Sequence, residues 1–140
     1  MSGSSDEGRR LRCGAEQLGI DLSEQAAAKL IAFLECLYLW NKSAGLTTIE
    51  RSEAVRLHLL DSLTALPLLG RCVAIADLGS GPGLPGIPLA IALPASRLVL
   101  VESRRRKCSF LAETIRELGL ENCRVEQADA RRYGGSPRLD

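Results

Sequence analysis

The sequence predicts an α/β protein: an open parallel sheet preceded by a helical segment. Three observations carry this. Apolar residues recur at helical spacing up to about residue 70, short apolar runs replace that period at Cys72, and a glycine- and proline-rich loop follows the first run at once. The order β-α-β-α-β with short connections then implies a parallel sheet with right-handed crossovers.

Residues 1–12 (MSGSSDEGRRLR) are small, polar and charged, and read as a disordered tail. Ser23 is a helix cap and Glu24 suits the first turn, with Leu30, Phe33, Leu34, Leu37 and Trp40 on one face; Asn41–Gly45 breaks that helix. A second helix is expected from a Ser52 cap, with Val55, Leu59, Leu63 and Leu66 inward and a stop near Pro67. Residues 13–70 are therefore expected to form a helical extension. Cys72–Leu78 is the first expected strand, Pro88–Leu93 a short helix and Arg97–Glu102 the second strand. A helix over Arg104–Leu118 places Cys108, Leu111, Ile115 and Leu118 on one face, with Gly119 as its stop. Cys123–Asp129 is a weaker third strand, and Gly134–Asp140 is loop-like. Open sheets of this type have about six strands in two halves. Residues 71–140 thus read as the first half of such a domain, with the second half of the sheet missing.

Composition sets the class. The 140 residues are 46% hydrophobic and 25% charged, the mixture of one soluble domain. Eighteen basic against 17 acidic side chains leave a net charge of +1, so any nucleic-acid contact must rest on local clusters. Five cysteines, odd in number and without a C-x-x-C pair, argue against zinc ligation and read as inert thiols in a reducing compartment. No metal is expected. A polar N-terminus without a secretory h-region, and no run near the ~18 apolar residues of a membrane span, predict a cytoplasmic protein without membrane contact.

The loop Asp77–Pro88 (DLGSGPGLPGIP) closes the first strand, at the sheet edge where open α/β folds bind ligands. Gly79, Gly81 and Gly83 permit positive φ and close approach to a ligand. Residues 81–86 formally satisfy G-x-G-x-x-G, the dinucleotide fingerprint, which is weak alone. Pyrophosphate needs free amides, whereas Pro82, Pro85 and Pro88 remove three, and Asp77 would set a carboxylate beside the anion. S-adenosylmethionine asks for something else. Asp77 can neutralise its ammonium, and Glu102, ending the second strand, can accept from both ribose hydroxyls. Asp129, ending the third strand, can accept from the adenine amino group. A tight turn and helix-capping acids are the plain alternative for each feature taken singly; their conjunction favours a nucleoside-containing cofactor.

Longer blocks surround this loop: Leu39-Trp40-Asn41-Lys42, Gly45-Leu46-Thr47, His58–Leu63 (HLLDSL), Asp77–Ile91 (DLGSGPGLPGIPLAI), Val101–Leu111 (VESRRRKCSFL) and Glu117–Leu120. Through them, over roughly residues 37–122, the chain resembles the bacterial 16S ribosomal RNA guanine-N7 methyltransferases (glucose-inhibited division protein B, methyltransferase G). The resemblance implies a class I S-adenosylmethionine-dependent methyltransferase fold, a Rossmann-like parallel sheet with an N-terminal helical extension. It implies methyl transfer to N7 of a guanine in the small-subunit RNA, a monomer, and the small ribosomal subunit as partner. It further implies that Gly79 and Leu84 contact the cofactor and that Ala130 and Arg131 lie beside its adenine. Two departures stand out. The family's basic-Ala/Val-Glu pattern after the third strand is here Asp129-Ala130-Arg131, and the family's next strand, bearing an active-site arginine, has no counterpart in these 140 residues.

Further clusters admit plainer readings. His58, Asp61 and Ser62 at i, i+3 and i+4 would share one helix face; a polar network pinning the helix competes with a place on the border of the pocket. Arg104-Arg105-Arg106-Lys107 opens a helix, where cations oppose the macrodipole; a solvated face competes with phosphate contact to ribosomal RNA, helped by Arg51 and Arg56. Phe33 and Trp40 read as core. Two other functions stay open: a dinucleotide-dependent oxidoreductase fragment, and a non-catalytic nucleoside- or ribosome-binding module.

Overall fold

The structure, a computed structural model, describes residues 2–134. Helices α1 (Ser2–Gln17) and α2 (Glu24–Ala44) lead into a 3-10 turn (Arg51–Glu53) and a π-helical segment (Val55–Leu60), which continue as α3 (Asp61–Leu63) and α4 (Leu66–Leu69). Strand β1 (Ala74–Leu78), α5 (Gly86–Ala92), β2 (Arg97–Glu102), α6 (Arg105–Leu118), β3 (Cys123–Gln127) and a last 3-10 turn (Ala130–Arg132) follow.

The three strands are parallel in the order β1-β2-β3. Register pairs Asp77 with Leu100, Leu78 with Val101 and Glu102 with Gln127, so the carboxyl ends lie side by side along one edge. β2 is central and buried from Leu98 through Glu102, which explains its unbroken apolar run. One hydrophobic cluster joins Phe33, Leu34 and Leu37 of α2 to Ile87 of α5, Phe110 and Leu111 of α6, and Leu98 and Leu100 of β2. Trp40 packs edge-on against Phe110, with centroids 5.7 Å apart. Helical segment and sheet therefore share a core.

Several elements form as their residues dictate. Ser23 caps α2 by accepting from the Ala26 amide, and Gly45 ends it in the left-handed conformation. Gly119 does the same for α6. The Asn41 side chain accepts from the amides of Leu46 and Thr47, locking the chain as it leaves α2.

Others correct the sequence reading. The tail expected over residues 1–12 is instead most of α1. Leu11 and Ala15 are fully buried, Gly14 packs so closely that a Cβ there would lie 2.4 Å from Leu60, and Glu7 pairs with Arg51 at 2.9 Å. Tertiary packing thus overrides a composition that is poor by itself. The helix expected from Ser52 to Pro67 winds first as 3-10 and then as π, and Pro67 sits in the first turn of α4, where its missing amide costs nothing. β1 and β3 are shorter than expected, α5 begins at Gly86 rather than Pro88, and residues 135–140 of the expected terminal loop lie outside the described residues.

Candidate functional site

Glycines 79, 81 and 83 all take positive φ, at 75°, 52° and 86°. That conformation folds the loop back over β2. The amides of Gly79 and Ser80 both donate to the Val101 carbonyl, at 2.8 and 3.0 Å. A Cβ at Gly79 would meet nothing within 4 Å, so that side of the loop is open. Gly83 faces inward instead, 3.0 Å from Ile87 and Leu111 as measured from a Cβ position.

Glu102 holds the loop from beneath. It is only 7% exposed, yet both its oxygens are engaged: Oε1 accepts from the Gly81 amide at 2.9 Å and Oε2 from the Arg104 amide at 2.7 Å. A carboxylate offers about four lone-pair sites, so capacity for further donors remains.

Asp77 holds the other end of the loop. Its Oδ2 accepts from the Gly86 amide at 3.1 Å, and Ser80 Oγ donates to its backbone carbonyl at 2.9 Å. It has no ion-pair partner among the described residues. Burial pushes its carboxyl above the usual range, opposed by the hydrogen bonds from Ser80 and Gly86. Gly86 is obligatory: a Cβ there would lie 2.3 Å from Leu100 Cδ2 and 2.6 Å from Asp77 Oδ2. The last glycine of G-x-G-x-x-G is the sequence signal for such close packing.

Asp129 is held differently. It caps the last 3-10 turn, accepting from the Arg131 amide at 2.9 Å and pairing with that guanidinium at 3.2 Å. Hydrogen bonding to Arg131 holds its carboxyl below the ordinary value. Ala130 is half-buried and Arg131 exposed in that turn; Leu84 is half-buried in the glycine loop. The Ala128 amide donates to the Glu102 carbonyl, tying the β3 exit to the β2 end.

Among the described residues no hydrogen bond joins the side chains of His58, Asp61 and Ser62 to one another. His58 Nε2 lies 2.8 Å from Thr47 Oγ1, which also accepts from the Ile49 amide. Burial lowers the His58 pKa against the opposing pull of Asp61. Ser62 is buried and donates to the His58 carbonyl at 2.6 Å, while Asp61 is exposed. Thr47 is the partner that spacing alone did not reveal.

Arg104, Arg105 and Arg106 are exposed and Lys107 is half-buried, at the start of α6. Arg51 has partners of its own within the chain. It pairs with Glu7 and lies over the Tyr38 ring at 5.5 Å, which makes it a tether for α1. Arg56 pairs with Glu53. All five cysteines are free; burial pushes Cys36 up to about 11 and Cys123 up to about 12, so neither is a thiolate near neutrality. Among the described residues no side-chain group is spaced to hold a metal, and no helix is long and apolar enough to cross a membrane. A concavity of about 1000 Å³ between α1 and α2 takes none of the strand-end residues in its lining.

Consecutive parallel strands and a left-handed glycine turn pinned by strand-end carboxylates give the chain a class I methyltransferase fold, of the Rossmann-like kind. Comparison with known proteins narrows this. The family model for rRNA small subunit methyltransferase G matches residues 26–140, and the chain belongs to that family. It is similar to the ribosomal RNA small subunit methyltransferase G of Nitrosospira multiformis, 46% identical over 117 residues, covering 83% of this chain and 54% of the relative. The protein of the same name from Polynucleobacter asymbioticus is 46% identical over 82% of this chain and 54% of its own length. That from Dichelobacter nodosus is 41% identical over 93% of this chain and 62% of its own. The chain spans a little over half the length of the curated relatives it matches.

Proposed function

We propose that this chain carries the S-adenosylmethionine site of an rRNA methyltransferase that modifies N7 of a guanine in 16S ribosomal RNA. One observation supports the cofactor above others. Asp77 is a half-buried carboxylate at the mouth of the glycine turn, partly desolvated and with no cation of the described chain beside it. A buried charge without a counter-charge is costly, and a ligand ammonium would offset that cost. The residues therefore fit the group: Asp77 for the ammonium, the open face of Gly79 with Gly81, Gly83 and Leu84 for backbone approach, Glu102 for the ribose. Asp129, Ala130 and Arg131 border the adenine.

When bound, S-adenosylmethionine supplies an electrophilic methyl group on a sulfonium. The acceptor N7 already carries an available lone pair, so no side chain has to remove a proton before attack. What this chain contributes is positioning and exclusion of water. Glu102 keeps the turn in shape through Gly81, and Asp77 anchors its far end through Gly86. His58, whose ring is held by Thr47, needs no role as base. Prolines 82, 85 and 88 remove the amides that a pyrophosphate would require, which disfavours a dinucleotide.

Calorimetric titration with S-adenosylmethionine, with NADH as control, tests the reading. Binding of the first alone is expected, with a large loss of affinity in Asp77→Asn. Binding of NADH, or indifference to Asp77→Asn, would overturn it.

A further inference from the structure

We propose that Arg104–Lys107 and the Gly45 corner of α2 form a seat for consecutive phosphates of the RNA backbone; the proposal rests on the reading of the substrate as RNA. Six arginines elsewhere have acidic partners on the surface: Arg10 with Asp6, Arg12 with Glu24, Arg56 with Glu53, Arg116 with Glu113, Arg124 with Glu126 and Arg131 with Asp129. Arg104, Arg105, Arg106 and Lys107 have none among the described residues. Three are exposed, and all four are spent on the first turn of a 14-residue helix, where the macrodipole disfavours cations. Arg104 is the N-cap residue, and its side chain makes no capping bond to the turn.

Geometry adds a second, independent feature. The four residues line a concavity of about 580 Å³ with Ala44 and Gly45. Gly45 has positive φ and nothing within 4 Å of a Cβ position, which leaves the wall low and open. The carbonyl end of α2 offsets part of the crowded positive charge while the seat is empty. Position supplies the third. The Arg104 amide is bonded to Glu102 Oε2, and the Ser103 carbonyl accepts from Gln127 Nε2 at 3.4 Å, so the seat adjoins both strand ends assigned to the nucleoside. RNA held there approaches the glycine turn from the β2 side, across the start of α6. Arg51 and Arg56, each already paired, lie outside the seat.

The test compares the chain with R104A/R105A/R106A/K107A, with R104K/R105K/R106K, and with R9A/R71A, which removes two exposed cations elsewhere. Each is titrated with transcribed 16S ribosomal RNA from 50 to 200 mM salt, and separately with S-adenosylmethionine; circular dichroism checks folding. At roughly −0.7 to −0.9 in log–log slope per phosphate, removing four contacts should flatten the salt slope by about three and weaken binding at least tenfold at the lowest salt. The lysine variant should bind within a few fold of the wild type, and R9A/R71A should change little. An unchanged slope in the alanine variant overturns the seat, as does an equal loss in R9A/R71A. Poly-L-glutamate bound as tightly as RNA, with the same dependence on the run, overturns RNA as the occupant in favour of an acidic protein surface. Loss of S-adenosylmethionine binding alone would sink the cofactor reading and leave the seat standing.

Discussion

The ends of β2 and β3 carry the same kind of residue in the same topological place and use it in opposite ways. Glu102 is buried, and its two oxygens fasten two separate segments, the glycine turn through Gly81 and the start of α6 through Arg104. Among the described residues Asp129 is bonded within its own turn, to the amide and guanidinium of Arg131. β2 is flanked on both sides, so whatever ends it lies between two loops. β3 has one strand neighbour among the described residues, and its exit turn closes on itself. An acid at a strand end is therefore an organiser of the site where the strand is central and a local cap where it is not.

Substitutions can break that contrast. Glu102→Ala should have the largest effect, leaving two amides without acceptors; at ~1–3 kcal/mol for each stranded group, a loss of roughly 2–6 kcal/mol is expected in denaturant unfolding. Glu102→Gln, which keeps one acceptor oxygen, should recover about half. Gly86→Ala comes next, at about 1–3 kcal/mol, because its Cβ would press on Leu100 and Asp77 together. An unfolding midpoint equal to wild type would show that the turn shifts freely and that Asp77 is not pinned there.

Smaller effects sharpen the comparison through pH. Burial raises the Asp77 carboxyl in the folded state. Its contribution to stability is thus fully present below the unfolded value near 3.8 and lost as pH rises through the folded one. Asp77→Asn, which keeps an acceptor for Gly86, should therefore be at least as stable as wild type at neutral pH while losing cofactor affinity. Asp129 runs the other way. Arg131 holds its carboxyl low, so that contribution is present above the unfolded value and fades as pH falls through the folded one. Hydrogen exchange on acidification should show the turn at 130–132 loosening while the glycine turn does not. Asp129→Ala should be the mildest change, with no measurable shift in the unfolding midpoint, and a change as large as that of Glu102→Ala would erase the distinction between the two ends.

Much of this was legible in the residues. Ser23, Gly45 and Gly119 act as helix ends for reasons contained in a few neighbouring positions, and the run from Leu98 to Val101 specifies a strand buried on both faces. The glycines of 79–83 and the acids 77 and 102 could be placed at one sheet edge because parallel β-α-β units bring successive strand ends together. The family blocks around them were readable for the same reason: they are contiguous.

What the sequence could not disclose depends on partners far along the chain. Residues 2–12 form helix because Leu11, with Ala15 beyond it, finds the surface of the segment at 55–60, and Glu7 finds Arg51, 44 residues away. The pairing of His58 with Thr47, 11 positions away, likewise follows from packing and not from any local period. Tertiary structure alone decided that both oxygens of Glu102 bind backbone amides, and that Arg51 is tied while Arg104–Lys107 have no acidic partner among the described residues. Helix caps and strand runs are short-range and survive in the one-dimensional pattern; hydrogen bonds and ion pairs between distant segments exist only once the core has brought those segments together.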